Sequence, residues 1–151
     1  MEALGCEIGN HSYDHTDLTT LSAEDVSSQL SATDQEIQDL AGHAATVVRP
    51  PYGAINDTVS SVVGRPMILW SVDTLDWETQ NVDTTVQNVM DNAQDGAVIL
   101  MHDIFKESVD AAEIFIPQLI EQGYELVTIE ELAKAKGVQL QAGVSYGAMT
   151  D

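Results

Sequence analysis

The chain has one cysteine, Cys6, so it has no internal disulfide, and that count leaves its compartment open. Basic residues are also scarce: five Lys and Arg stand against twenty-five Asp and Glu, a formal net charge of -20. Such a surface repels a phosphate backbone, which excludes DNA and RNA as partners, and it disfavours an anionic membrane for the same reason. The acidity reads as a solubility feature or an adaptation to salty surroundings rather than a recognition patch. No apolar run reaches membrane-spanning length, and no basic-then-apolar leader opens the chain. Any signal or anchor is expected in a missing N-terminal part. With 151 residues and a hydrophobic share of 44%, one domain with a real core is the default.

The most informative stretch is His11-Ser12-Tyr13-Asp14-His15. Two imidazoles four residues apart can meet on one side of a helical turn, and neutral imidazole is a common ligand for zinc and its neighbours. The run Cys6 to Asn10 reads as a short strand; Gly9 relaxes the backbone at its end, and Asn10 can cap a new helical turn. The plainer alternative is two surface histidines, since two ligands do not close a site.

Downstream, Ser22 with Asp25 makes a capping-box-like start. Val26, Leu30, Ile37 and Leu40 then form one helical stripe that Gly42 stops. His43 reads as a cation at the end of that helix. Ala45 to Val48 reads as a buried strand running into Arg49-Pro50-Pro51-Tyr52-Gly53, where two prolines forbid helix. Asn56-Asp57 can cap the next helix. Met67 to Val72 is a further strand, delivering Asp73-Thr74-Leu75-Asp76-Trp77. A helix over about Thr84 to Asn92 follows, with Val86, Val89 and Met90 inward. Ala97 to Met101 is the fourth strand and delivers His102-Asp103.

A helix from about Ser108 to Gln122 carries Ile114, Phe115, Leu119 and Ile120, and Pro117 inside it should kink it or limit its first segment. Tyr124 to Thr128 reads as a fifth strand, and Thr128 with Glu131 caps a short helix through about Lys136. Residues 1–136 are expected to form the domain; the tail 137–151 has no period and is expected to fray. Alternating strands and helices predict an α/β protein with a parallel sheet. Most strands end on His, Arg or Asp, and in a parallel barrel those ends share one face.

That set of groups suits ester or amide hydrolysis. A metal can activate water, a histidine held by a carboxylate can protonate a leaving group, and backbone N–H groups can hold an oxyanion. Trp77 could wall a groove for a sugar ring, or serve as a rim aromatic. The four motifs around His11-His15, Arg49-Gly53, Asp73-Trp77 and Leu100-Asp103 resemble, in order and spacing, those of the polysaccharide deacetylases, carbohydrate esterase family 4. The resemblance covers roughly residues 3–136.

The resemblance implies an incomplete (β/α) barrel that removes N- or O-acetyl groups from chitin, peptidoglycan or xylan. It implies His11 and His15 as ligands of a divalent metal, zinc first, with cobalt or nickel as alternatives. Arg49 would orient the catalytic aspartate, and the Tyr52 N–H would help bind the oxyanion. Asp76 would tune His102, the general acid. Trp77, Leu100 and Pro51 would contact substrate, Trp77 and Leu100 lining the acetyl pocket, with Asp73 in support. The family suggests a cell-envelope or secreted location.

One departure is plain. The family's first motif, Thr-Phe-Asp-Asp-Gly or a variant, supplies the base and a third metal ligand, and this chain has no Asp-Asp pair. Asp14, Asp17 and Asp73 do not stand in that position. Five strands are also too few to close the barrel, so self-association through its open edge is expected. Met1 is accordingly expected to be an internal start and the chain the C-terminal part of a longer deacetylase. The alternative is a catalytically inactive remnant acting as a carbohydrate-binding or partner-packing module. A helical metalloprotease motif is disfavoured because Ser12 stands where its glutamate would be.

Overall fold

The computed structural model describes residues 2–150 and divides into two compact units. The first comprises Met1–Leu69 with Val138–Tyr146, and the second Trp70–Gly137 with Gly147–Asp151. The fold is α/β, as the alternating pattern predicts.

In the first unit, Ser22 accepts from the Asp25 amide and opens helix α1 (Ala23–Ala41), which Gly42 closes at φ 83°. Asn56 caps α2 (Asp57–Val63) through the Val59 amide. The two helices pack together over Leu18, Val26, Leu30, Val48, Val59, Val63 and Met67. The expected stripe on α1 is buried only in its first half: Val26 and Leu30 are inside, whereas Leu40 is 88% exposed. Length explains this. At about 1.5 Å per residue, α2 is too short to cover the whole face of α1.

Strands are shorter than the sequence suggests. The runs at Cys6–Asn10 and Ala45–Val48 contribute single parallel bridges, Asn10 to Val48 and Val48 to Met67. The run from Met67 to Val72 splits: β1 (Met67–Ile68) belongs to the first unit and β2 (Val72–Asp73) to the second.

In the second unit, β2 pairs in parallel with β3 (Ile99–Leu100), with Val72 opposite Ile99 and Asp73 opposite Leu100. Short helix α3 (Asp76–Thr79) follows β2, and Asn81 caps α4 (Val82–Asn92) through the Thr84 amide. Helix α5 (Lys106–Glu121) runs unbroken across Pro117. Its packing on α4 buries Val89, Ala111, Phe115 and Leu119, while Ile114 and Ile120 are exposed. Tyr124–Thr128 forms no ladder; the Tyr124 amide instead donates to the Leu119 carbonyl at the helix end. Thr128 and Glu131 form the expected capping box of α6 (Ile129–Ala135).

The tail was expected to fray, but parts of it between residues 145 and 149 are held in place. In the first unit, β4 (Ser145–Tyr146) pairs in parallel with β1. In the second, Met149 is buried and its amide donates to the Gly96 carbonyl. Gly96 has φ 81°, and a Cβ there would meet the Met149 carbonyl oxygen at 2.0 Å. Only glycine admits that approach. No helix among the described residues is long and apolar enough to cross a membrane.

Candidate functional site

Each unit carries its own polar centre. In the first, His11 and His15 are close, with ring centroids 4.9 Å apart in an edge arrangement, and Tyr52 stands 4.8 Å from His15. The expected helical turn does not bring them there. Ser12 and His15 both have φ 64°, so the loop bends through the left-handed region twice.

Side chains hold that shape. Asn10 is fully buried; its amide group donates to the Leu30 carbonyl and to Asp34, and its oxygen accepts from the Ser12 amide. Asn10 thus caps the loop, not a helix. Ser12 Oγ accepts from the His15 amide, and Gln29 Oε1 accepts from the amides of Tyr13 and Asp14. Arg65 pairs with Asp34 at 2.7 Å and anchors the far end of the network.

The Arg49 motif reaches this loop through its main chain. The Arg49 amide donates to the Asn10 carbonyl, and the Arg49 carbonyl accepts from His11 Nδ1. A carbonyl can only accept, so Nδ1 of His11 carries a proton, and in the neutral ring the lone pair is then on Nε2. A ring N–H given to a backbone carbonyl is the usual support of a metal-binding histidine. Pro51 is buried, and Tyr52 is exposed with φ 60°, a strained conformation for an aromatic residue. The donor set therefore fits two positions around a divalent cation. Among the described residues, no group of three His, Cys, Asp or Glu gathers to complete one.

In the second unit, Asp76 is 1% exposed and accepts four hydrogen bonds, two on each oxygen. Oδ1 takes the Trp77 amide at 2.9 Å and His102 Nδ1 at 2.9 Å. Oδ2 takes the His102 amide at 2.6 Å and Ser108 Oγ at 2.7 Å. Burial would raise this carboxyl, but the bonds from Ser108 and from the His102 ring and amide, with the His102 charge, hold it below its ordinary value. An ionised carboxylate only accepts, so Nδ1 of His102 is protonated and exchange with a substrate falls to Nε2.

The neighbours are fixed in turn. Asp73 Oδ1 accepts from the Leu75 amide and, at 3.3 Å, from Trp77 Nε1; the half-exposed Trp77 is thereby oriented. Thr74, fully buried, donates to the carbonyl of the buried Leu100. The sequence points to His102 and Asp76, gives Asn10 only a helix-capping role, and offers no sign of the parts that Ser108, Thr74 and Gln29 play. Ser108 stood out only as a helix start. Its partner lies 32 residues away, so no local pattern announces it.

The polysaccharide deacetylase family model matches residues 1–65. The chain is 42% identical over 147 residues to the peptidoglycan-N-acetylglucosamine deacetylase PgdA of Listeria monocytogenes, covering 97% of this chain and 31% of that protein. It spans about a third of the length of the first curated relatives it matches. The structure of peptidoglycan deacetylase PdaC from Bacillus subtilis is 44% identical with a TM-score of 0.88, over 91% of this chain and 68% of that one. A family 4 acetyl xylan esterase from Clostridium thermocellum, solved in complex with a cobalt ion, gives a TM-score of 0.93 at 29% identity, over 100% of this chain and 76% of that one. BA3943, a CE4 family pseudoenzyme from Bacillus anthracis, gives 0.78 at 35% identity, over 83% and 46%. By its sequence and by its fold, the chain belongs to the polysaccharide deacetylase family.

Proposed function

We propose that this chain carries the metal-binding histidines and the proton donor of a hydrolase that removes N- or O-acetyl groups from a polysaccharide of peptidoglycan, chitin or xylan type. The observation that carries this reading is the buried Asp76 bonded to His102 Nδ1, which leaves Nε2 as the ring position for proton transfer. His102 would protonate the departing sugar nitrogen or oxygen, and Asp76 would hold the ring in the required tautomer. His11 and His15 would hold a divalent cation, zinc first, with cobalt or nickel as alternatives. When bound, such a cation supplies Lewis acidity and an activated water. The Tyr52 amide would bind the oxyanion and Arg49 would orient the base carboxylate. Trp77 and Leu100 would contact the acetyl methyl group, and Pro51 the substrate.

A second reading has its own support. The sequence holds no Asp-Asp pair, and no third metal donor gathers among the described residues. On that reading the chain is an inactive remnant that binds carbohydrate or packs on a partner. One experiment separates the two: acetate release from N-acetylglucosamine oligosaccharides and acetylated xylan by zinc- or cobalt-treated protein. Turnover that a chelator abolishes supports the hydrolase. Glycan binding without acetate release supports the remnant.

A further inference from the structure

We propose that Ser108 is a positioning residue for the Asp76–His102 pair, its hydroxyl locking the carboxylate so that Oδ1 stays on the imidazole. This rests on the reading above that His102 is the proton donor. The terminal torsion of an aspartate is broad, so both oxygens must be held to fix the plane of the carboxylate. Oδ1 is held by the Trp77 amide, Oδ2 by the His102 amide, and both of these donors lie in the two motifs themselves. The Ser108 hydroxyl is the remaining donor on Oδ2, and it comes from the first turn of α5.

Two features tie this hydroxyl to the pair. A serine near a helix start ordinarily bonds to its own backbone as a cap. Here the N-cap is Phe105, with no side-chain cap bond, while the Ser108 hydroxyl reaches to a carboxylate 32 residues earlier. Ser108 is also 2% exposed, so solvent does not readily replace the bond if it is removed. Its action is through Asp76, and it would make no contact with substrate.

The test is nitrogen-15 NMR of the His102 ring in the full chain, with parent, Ser108→Ala and Ser108→Thr compared. Alanine should lower the fraction of the Nδ1–H tautomer and speed exchange of that proton, and threonine, which keeps the hydroxyl, should restore both. In zinc-loaded protein that releases acetate, Ser108→Ala should lower kcat roughly tenfold with KM unchanged. If Ser108→Ala does not fold, Ser108→Cys, near in size with only a weak donor, carries the same comparison. A ring spectrum in the folded alanine or cysteine variant identical to the parent's would overturn the proposal. Full acetate release by His102→Ala would instead overturn the proton-donor reading, and the ring spectrum would still decide what Ser108 does.

Discussion

The two polar centres balance charge in opposite ways. In the second unit an imidazole meets a buried carboxylate, and every Asp76 oxygen is occupied by donors from the protein. In the first unit two imidazoles meet each other, and the loop's backbone amides donate to neutral side-chain oxygens of Asn10, Ser12 and Gln29. A carboxylate partner suits an imidazole that moves a proton, whereas a carbonyl partner such as that of Arg49 suits one that offers a lone pair. The two centres should therefore answer to different perturbations, protons on one side and cations on the other.

The largest expected effect breaks the comparison at its chemical end. Replacing His102 with alanine should lower acetate release by about 10²–10⁴-fold, the usual worth of a general acid, while leaving zinc affinity intact. Asp76→Ala comes next. It strands the His102 ring, two amides and the Ser108 hydroxyl in a buried place, so urea unfolding should show a loss of about 3 kcal/mol. The same residue predicts an acid response. Its folded carboxyl lies below the ordinary 3.8, so its stabilising contribution is full above that value and is lost as pH falls through the folded value. Asp76→Asn should flatten the parent's loss of urea stability below about pH 4.

On the other side, Asn10→Ala removes three side-chain bonds from a fully buried position. It should cost about 2 kcal/mol in denaturant unfolding and weaken zinc binding by roughly 10-fold, without altering the His102 ring spectrum. The smallest effects sharpen the contrast by sparing both centres. Asn56→Ala and Asn81→Ala each delete one helix cap, one per unit, and should each cost about 1 kcal/mol with zinc affinity and acetate release unchanged.

What could be read ahead of the structure was which polar side chains meet, His11 with His15 and Asp76 with His102, because they are unusual types set near strand ends in motifs that resemble a known family's. Helix starts at Ser22, Asn56 and Thr128 were equally legible, since a cap and its amide lie within three residues. Residues that hold the chemistry in place were not. Asn10 bonds to Leu30 and Asp34, and Ser108 to Asp76, across separations that no periodicity encodes. The His11–His15 pairing was anticipated for the wrong reason, since two left-handed residues make the bend that a helical turn was expected to make. The docking of Met149 was hidden for the same cause as Ser108: it depends on the absent side chain of Gly96, fifty-odd residues away.

The difference in role between the two centres is tested most directly by titration calorimetry of zinc into the parent, His15→Ala and His102→Ala proteins. Binding should be lost in His15→Ala and kept at parental affinity in His102→Ala. Equal zinc affinity in all three, or a loss confined to His102→Ala, would contradict that difference in role.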